Sequence, residues 1–120
     1  ILFIDDLVNA FQLAEQHAAP LAGRAFNIGG GPANTISLLD LLDRIEALHG
    51  ERPETEFEDW RTGDQRYYVS DVSRFAAATG WSPRVNARQG VSNLYNWLLD
   101  FRGLAETSAG VPVMVEAHAS

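Results

Sequence analysis

The stretch over residues 37–50 admits one reading. Ser37 and Asp40 form a capping box with Asp in place of the usual Glu or Gln, and Leu38, Leu41, Leu42, Ile45 and Leu48 follow at helical spacing. Asp43, Arg44 and Glu46 fall on the other side, facing out, and Gly50 supplies a left-handed stop with His49 beside the negative end of the helix dipole. A one-sided apolar stripe needs a second layer to cover it. This helix is the clearest element in the sequence.

The other elements follow from the same signals. Residues 1–4 read as a short buried strand, and residues 5–18 as an amphipathic helix with Asp5 as cap, Asp6 in its first turn and Leu7, Val8, Phe11 and Ala14 on one face. Ala19 and Pro20 end it, and a turn around Gly23 leads to a β-prone piece over residues 24–28. Residues 55–59 and 66–70 read as two further short strands. Asp71 is placed to cap a helix over residues 72–79, Trp81 to lie on the core, and residues 87–102 form a last helix with Val91, Leu94, Tyr95, Leu98 and Phe101 along one face. Helices alternating with short strands give a small α/β fold over residues 1–102. Residues 103–120 lose all periodicity and are expected to be a disordered tail.

Composition removes several kinds of chemistry. In 120 residues there is no cysteine and no lysine, so disulfides, thiolate catalysis, a Walker A loop, a Schiff base and a Tyr-Lys pair are all excluded within the chain. A net charge of −7 disfavours a nucleic-acid surface, and no apolar run is long enough for a membrane span. The first residues carry no basic n-region of a signal peptide, and these absences together favour a cytoplasmic protein. His17, His49 and His118 are isolated, so no metal-ligand spacing exists.

The polar stretch over residues 59–68 stands apart. It holds Arg61, Arg66, Asp59, Asp64, Trp60, Tyr67 and Tyr68 around Gly63. A guanidinium matches phosphate oxygens with paired donors, so Arg61 or Arg66 can clamp an anion; Asp64 can accept from sugar hydroxyls, and Tyr67 or Tyr68 can add a flat face. Spacing alone leaves a second reading open, a polar turn whose Arg and Asp pair with each other. The glycine run at residues 29–31 is a poor match to the dinucleotide fingerprint, since Asn34 holds the last glycine position and Pro32 lacks a donor.

The ordered series Phe-Ile-Asp-Asp-Leu-Val (3 to 8), Ala-Phe-Asn-Ile-Gly-Gly-Gly (25 to 31), Ser-Leu-Leu-Asp-Leu-Leu (37 to 42), Arg-Thr-Gly-Asp-Gln-Arg-Tyr-Tyr-Val-Ser-Asp (61 to 71) and Gly-Trp-Ser-Pro (80 to 83) resembles the C-terminal, substrate-binding portion of extended short-chain dehydrogenase/reductases that act as nucleotide-sugar epimerases and dehydratases. Its wording is similar to the CDP-paratose 2-epimerase-like branch. The resemblance implies that Arg61 binds the diphosphate of a nucleotide diphosphate sugar, that Asp64 contacts ribose or positions Arg61, and that Tyr68 lies near the base or sugar. It also implies a parent enzyme that uses NAD, held by an N-terminal Rossmann cofactor domain absent from this sequence. On that reading the chain is the incomplete substrate-binding lobe of the enzyme, without catalytic residues and binding no cofactor alone. The alternative is a stand-alone nucleotide-sugar-binding or homodimerisation module.

Overall fold

The structure is a computed structural model that describes residues 1–101. The tail expected over residues 103–120 lies outside the described residues. Five α-helices follow in order: α1 (Ile4–Gln16), α2 (Ala18–Leu21), α3 (Leu38–His49), α4 (Ser73–Thr79) and α5 (Ala87–Phe101). A single 3₁₀ turn, Pro32–Asn34, lies between α2 and α3.

α3 forms as expected. The Ser37 hydroxyl accepts from the Asp40 amide at 3.0 Å, the Ser37 amide donates back to the Asp40 carboxylate at 3.0 Å, and Gly50 closes the helix at φ 86°. The stripe faces α5, yet Leu41, Leu42 and Ile45 are only half-buried and Leu38 remains exposed. Arg44, expected to face out, is half-buried. Arg52 then folds the following turn back onto α3 by pairing with Asp43 and Glu46.

The core lies on the other side of the molecule's sequence order, where α1, α2 and α4 meet. Ala10, Leu21, Phe75 and Trp81 are buried together, with Leu2, Leu13, Phe26, Ile28 and Val72 packed against them. Trp81 lies on this core as its sequence context predicts, edge-on to Phe75 at 5.8 Å. Its indole N–H donates to the Asp6 carbonyl at 3.1 Å.

Several expectations are corrected. The predicted strands over residues 1–4, 24–28, 55–59 and 66–70 do not form, and no strand exists among the described residues, so the α/β class is not met within them. The reason is that a strand is a paired object, and the backbone hydrogen bonds outside helices here close only turns and caps. Ile1 is instead exposed, and Ile4 opens α1. Asp5 does not cap that helix; Phe3 holds the cap position without a side-chain bond, and Asp5 lies one step inside. Pro20 does not end helical structure but sits within the one-turn α2, where the amide it lacks would have had no partner. In α5 the stripe expected to be buried is largely open: Leu94, Trp97, Leu98 and Phe101 are all exposed.

Asp71 does not hold the cap position of α4 either; Val72 does, and the Asp71 carboxylate accepts from the Ser73 amide at 2.9 Å. Asp40 and Asp71 make an acid prediction. The hydroxyl and amide of Ser37 hold the Asp40 carboxyl below its ordinary value of 3.8, and the side chain and amide of Ser73 do the same for Asp71. Both carboxylates are depressed in the folded state, so their contribution is complete above the unfolded value and is lost as pH falls through the lowered folded values. Helix content followed by circular dichroism should therefore fall from about pH 4 downward, with a shallower decline in an Asp40→Asn, Asp71→Asn variant. Equal declines in the two proteins would contradict the assignment.

Candidate functional site

Residues 61–64 form a locked turn. The Asp64 amide donates to the Arg61 carbonyl at 3.1 Å, and the Arg61 amide donates to the Asp64 carboxylate at 3.1 Å. Gly63 at φ 90° occupies the position where only glycine is unstrained. The backbone of Arg61 is thus held from both ends while its side chain is 89% exposed. Its Nε lies 3.7 Å from the Asp64 carboxylate, an exposed pair whose attraction is weak and leaves most guanidinium donors free. Asp64 acts on Arg61 chiefly through the backbone.

Arg66, the other cation of the stretch, lies over the ring of Trp60 at 5.3 Å from its centroid. Tyr67 and Tyr68 are both exposed. Tyr68 lines an open cleft of about 270 Å³ together with Gly29, Gly30, Gly31, Thr35 and Ser70. The structure therefore brings Arg61 and Asp64 together, and sets Tyr68 against the glycine run instead. No hydrogen bond joins Tyr68 to either residue among the described residues.

That glycine run is occupied by the chain's own packing. The Gly31 amide donates to the buried Ser70 hydroxyl at 3.1 Å, and a Cβ on Gly29 would overlap that hydroxyl. Asn34 donates to the Gly30 carbonyl at 3.1 Å and accepts from the Ala87 amide, the first of α5, at 2.9 Å. These contacts do not fit a dinucleotide cradle, in which the glycines would leave room for a pyrophosphate. Ser70 and Asn34 were not singled out by sequence as site-forming residues. The one signal was Asn34 itself, a polar residue where the fingerprint has glycine. Among the described residues no group of three metal-ligating side chains is assembled, and no helix is long and apolar enough to cross a membrane.

Comparison with known proteins gives a consistent set of relatives. No family model matches the sequence. The chain is 33% identical over 97 residues to CDP-paratose 2-epimerase of Salmonella typhi, covering 81% of this chain and 29% of that protein. It is 33% identical over 86 residues to dTDP-glucose 4,6-dehydratase of an Actinoplanes species, covering 71% and 26%. With UDP-glucuronate 4-epimerase of Thermodesulfobacterium geofontis it shares 27% identity over 78 residues, covering 65% and 24%. The chain thus spans less than a third of the length of these curated relatives. These relatives identify the chain, by sequence alone, as a partial-length homologue of the extended short-chain dehydrogenase/reductase family.

Proposed function

We propose that this chain is the substrate-gripping lobe of an NAD-dependent nucleotide-sugar epimerase or dehydratase, with Arg61 on the diphosphate of the substrate. The observation that carries the reading is the locked turn with an open side chain: backbone held at both ends, guanidinium exposed. The locked backbone fixes where the side chain starts, and the exposed guanidinium is free to present paired donors to two phosphate oxygens, losing rotamer freedom as it does so. Asp64 keeps the turn closed and offers an acceptor to ribose. Tyr68 presents its ring and phenol to base or sugar from the cleft beside the glycine run. The catalytic acid, the base and the NAD site belong to a Rossmann half outside this chain.

Two apolar faces support a missing partner of that kind. Ile4, Val8 and Phe11 recur along α1, and Leu94, Trp97, Leu98 and Phe101 along α5, all exposed. Apolar stripes of this size normally lie against another protein surface. Relatives of which the matched stretch is 29% or less supply the covering half on this reading.

Titration calorimetry with CDP-, UDP- and dTDP-sugars tests the proposal and selects the base. Arg61→Ala should weaken binding roughly ten- to hundredfold by removing charge-assisted bonds. Arg61→Lys should recover only part of it, since a point charge cannot form the paired contact. Unchanged affinity in Arg61→Ala would remove the assignment.

A further inference from the structure

The cleft beside the glycine run holds a polar group whose bonding is half used. Ser70 is only 7% exposed, and its hydroxyl oxygen accepts from the Gly31 amide at 3.1 Å. The O–H of that hydroxyl donates to no acceptor among the described residues. Gly29 and Gly31, which bound the hydroxyl, line the cleft together with Ser70, and a Cβ on Gly29 would overlap the hydroxyl itself. A Cβ on Gly31 would meet nothing within 4 Å, so the space beyond that glycine is open. A buried donor without an acceptor is costly to keep, and a ligand that brings an acceptor removes that cost.

The rest of the lining is apolar or already engaged. Ile36 and Val69 are apolar, the Thr35 hydroxyl donates to the Gly31 carbonyl at 3.1 Å, and Tyr68 adds a flat, exposed ring. Such a surface suits a flat neutral ring that bears a carbonyl: its face lies on Tyr68 and its oxygen accepts from Ser70. A sugar ring is not flat and carries hydroxyls around its edge, and several of them would lose water against apolar side chains without a partner. The volume of about 270 Å³ lies just under the roughly 300 Å³ at which ligand pockets begin, which suits a single ring.

We propose that this cleft binds a pyrimidine base, with Tyr68 against the ring and the Ser70 hydroxyl donating to a ring carbonyl. The inference deepens the function proposed above and rests on it for the base being part of a nucleotide sugar; it does not rest on Arg61.

The test is an NMR titration of the isotope-labelled chain with cytidine and uridine, which carry the base without a diphosphate. Adenosine and glucose serve as the two-ring and the hydroxylated comparisons. Cytidine and uridine should shift the Gly29, Gly30 and Gly31 amides saturably. Ser70→Ala should weaken that binding about three- to tenfold, and Tyr68→Ala about tenfold. Phe57→Ala, which removes another exposed ring outside the cleft, should leave it unchanged. No saturable shift of the glycine amides with either nucleoside, adenosine or glucose binding as tight, or binding unaltered in either folded variant would each overturn the proposal. Circular dichroism separates loss of the site from loss of fold; if Ser70→Ala unfolds because the Gly31 amide loses its acceptor, Tyr68→Ala, at an exposed position, decides alone. Nucleoside binding in the cleft, with nucleotide-sugar affinity unchanged in Arg61→Ala, would keep this site and remove the Arg61 assignment. Nucleotide-sugar binding that is lost in Arg61→Ala, with the glycine amides unshifted by nucleosides, would do the reverse.

Discussion

Asp6→Ala should lower the unfolding free energy by about 3–5 kcal/mol, more than any other change of a charged residue among those described. Asp6 is only 3% exposed. One carboxylate oxygen accepts from the Arg84 amide at 3.0 Å and the other from the Val85 amide at 2.9 Å. Alanine leaves both amides facing a cavity, and each unmet buried donor costs about 1–3 kcal/mol. The consequence reaches beyond α1, because residues 84 and 85 lead directly into α5. Asp6→Asn keeps one acceptor and turns the other into a donor aimed at an amide, so it should recover less than half of the loss. The neighbouring Asp5 is exposed and without a hydrogen-bond partner among the described residues, and Asp5→Ala should stay within about 0.5 kcal/mol of the parent. Urea denaturation reads all three, as a shift in midpoint at constant slope. A change under 1 kcal/mol for Asp6→Ala would show that the amides find other partners.

Asp6 also marks where sequence reading stops. Its partners are 78 and 79 residues away, and no local pattern encodes a contact of that range. By contrast the bounds and caps of α3 were legible, because cap, stripe and stop lie within one element and act on each other across three or four residues, while the burial of its two sides was not. The turn at residues 61–64 was legible for the same reason, with Gly63 and Asp64 close enough to Arg61 to lock it. Spacing could not decide between an anion clamp and a self-paired surface turn. In the structure Arg61 and Asp64 do pair, through the backbone and a 3.7 Å ion contact, and the guanidinium is exposed. The strands failed differently. β-prone composition favours an extended chain but carries no record of which segment lies alongside, and residues 55–59 have none among the described residues. The α5 stripe shows the same gap, since periodicity says which side is apolar and leaves open what covers it.

Gly30→Ala should be among the most damaging single substitutions, costing about 3 kcal/mol or more. A Cβ there would overlap the Ile1 carbonyl oxygen and lie 2.7 Å from the Asn34 Cβ and 2.9 Å from the Ile1 carbonyl carbon. None of these atoms can yield cheaply. Asn34 is held at three points: its side-chain amide donates to the Gly30 carbonyl, its side-chain oxygen accepts from the Ala87 amide, and its own carbonyl accepts from the Ile1 nitrogen at 2.8 Å. Relief of the overlap must therefore displace the start of α1 or release the start of α5. Gly31→Ala serves as the comparison, because its Cβ would meet open space and the cost is confined to a backbone at φ 69°, about 1–2 kcal/mol. The order of the two losses distinguishes the roles open to the glycine run. If glycine is needed at position 30 because the chain approaches itself, Gly30→Ala unfolds the protein at lower denaturant than Gly31→Ala, with or without nucleotide. If it is needed for a pyrophosphate to approach, Gly30→Ala keeps the parent stability and loses only ligand binding, and the packing account of this loop would be wrong.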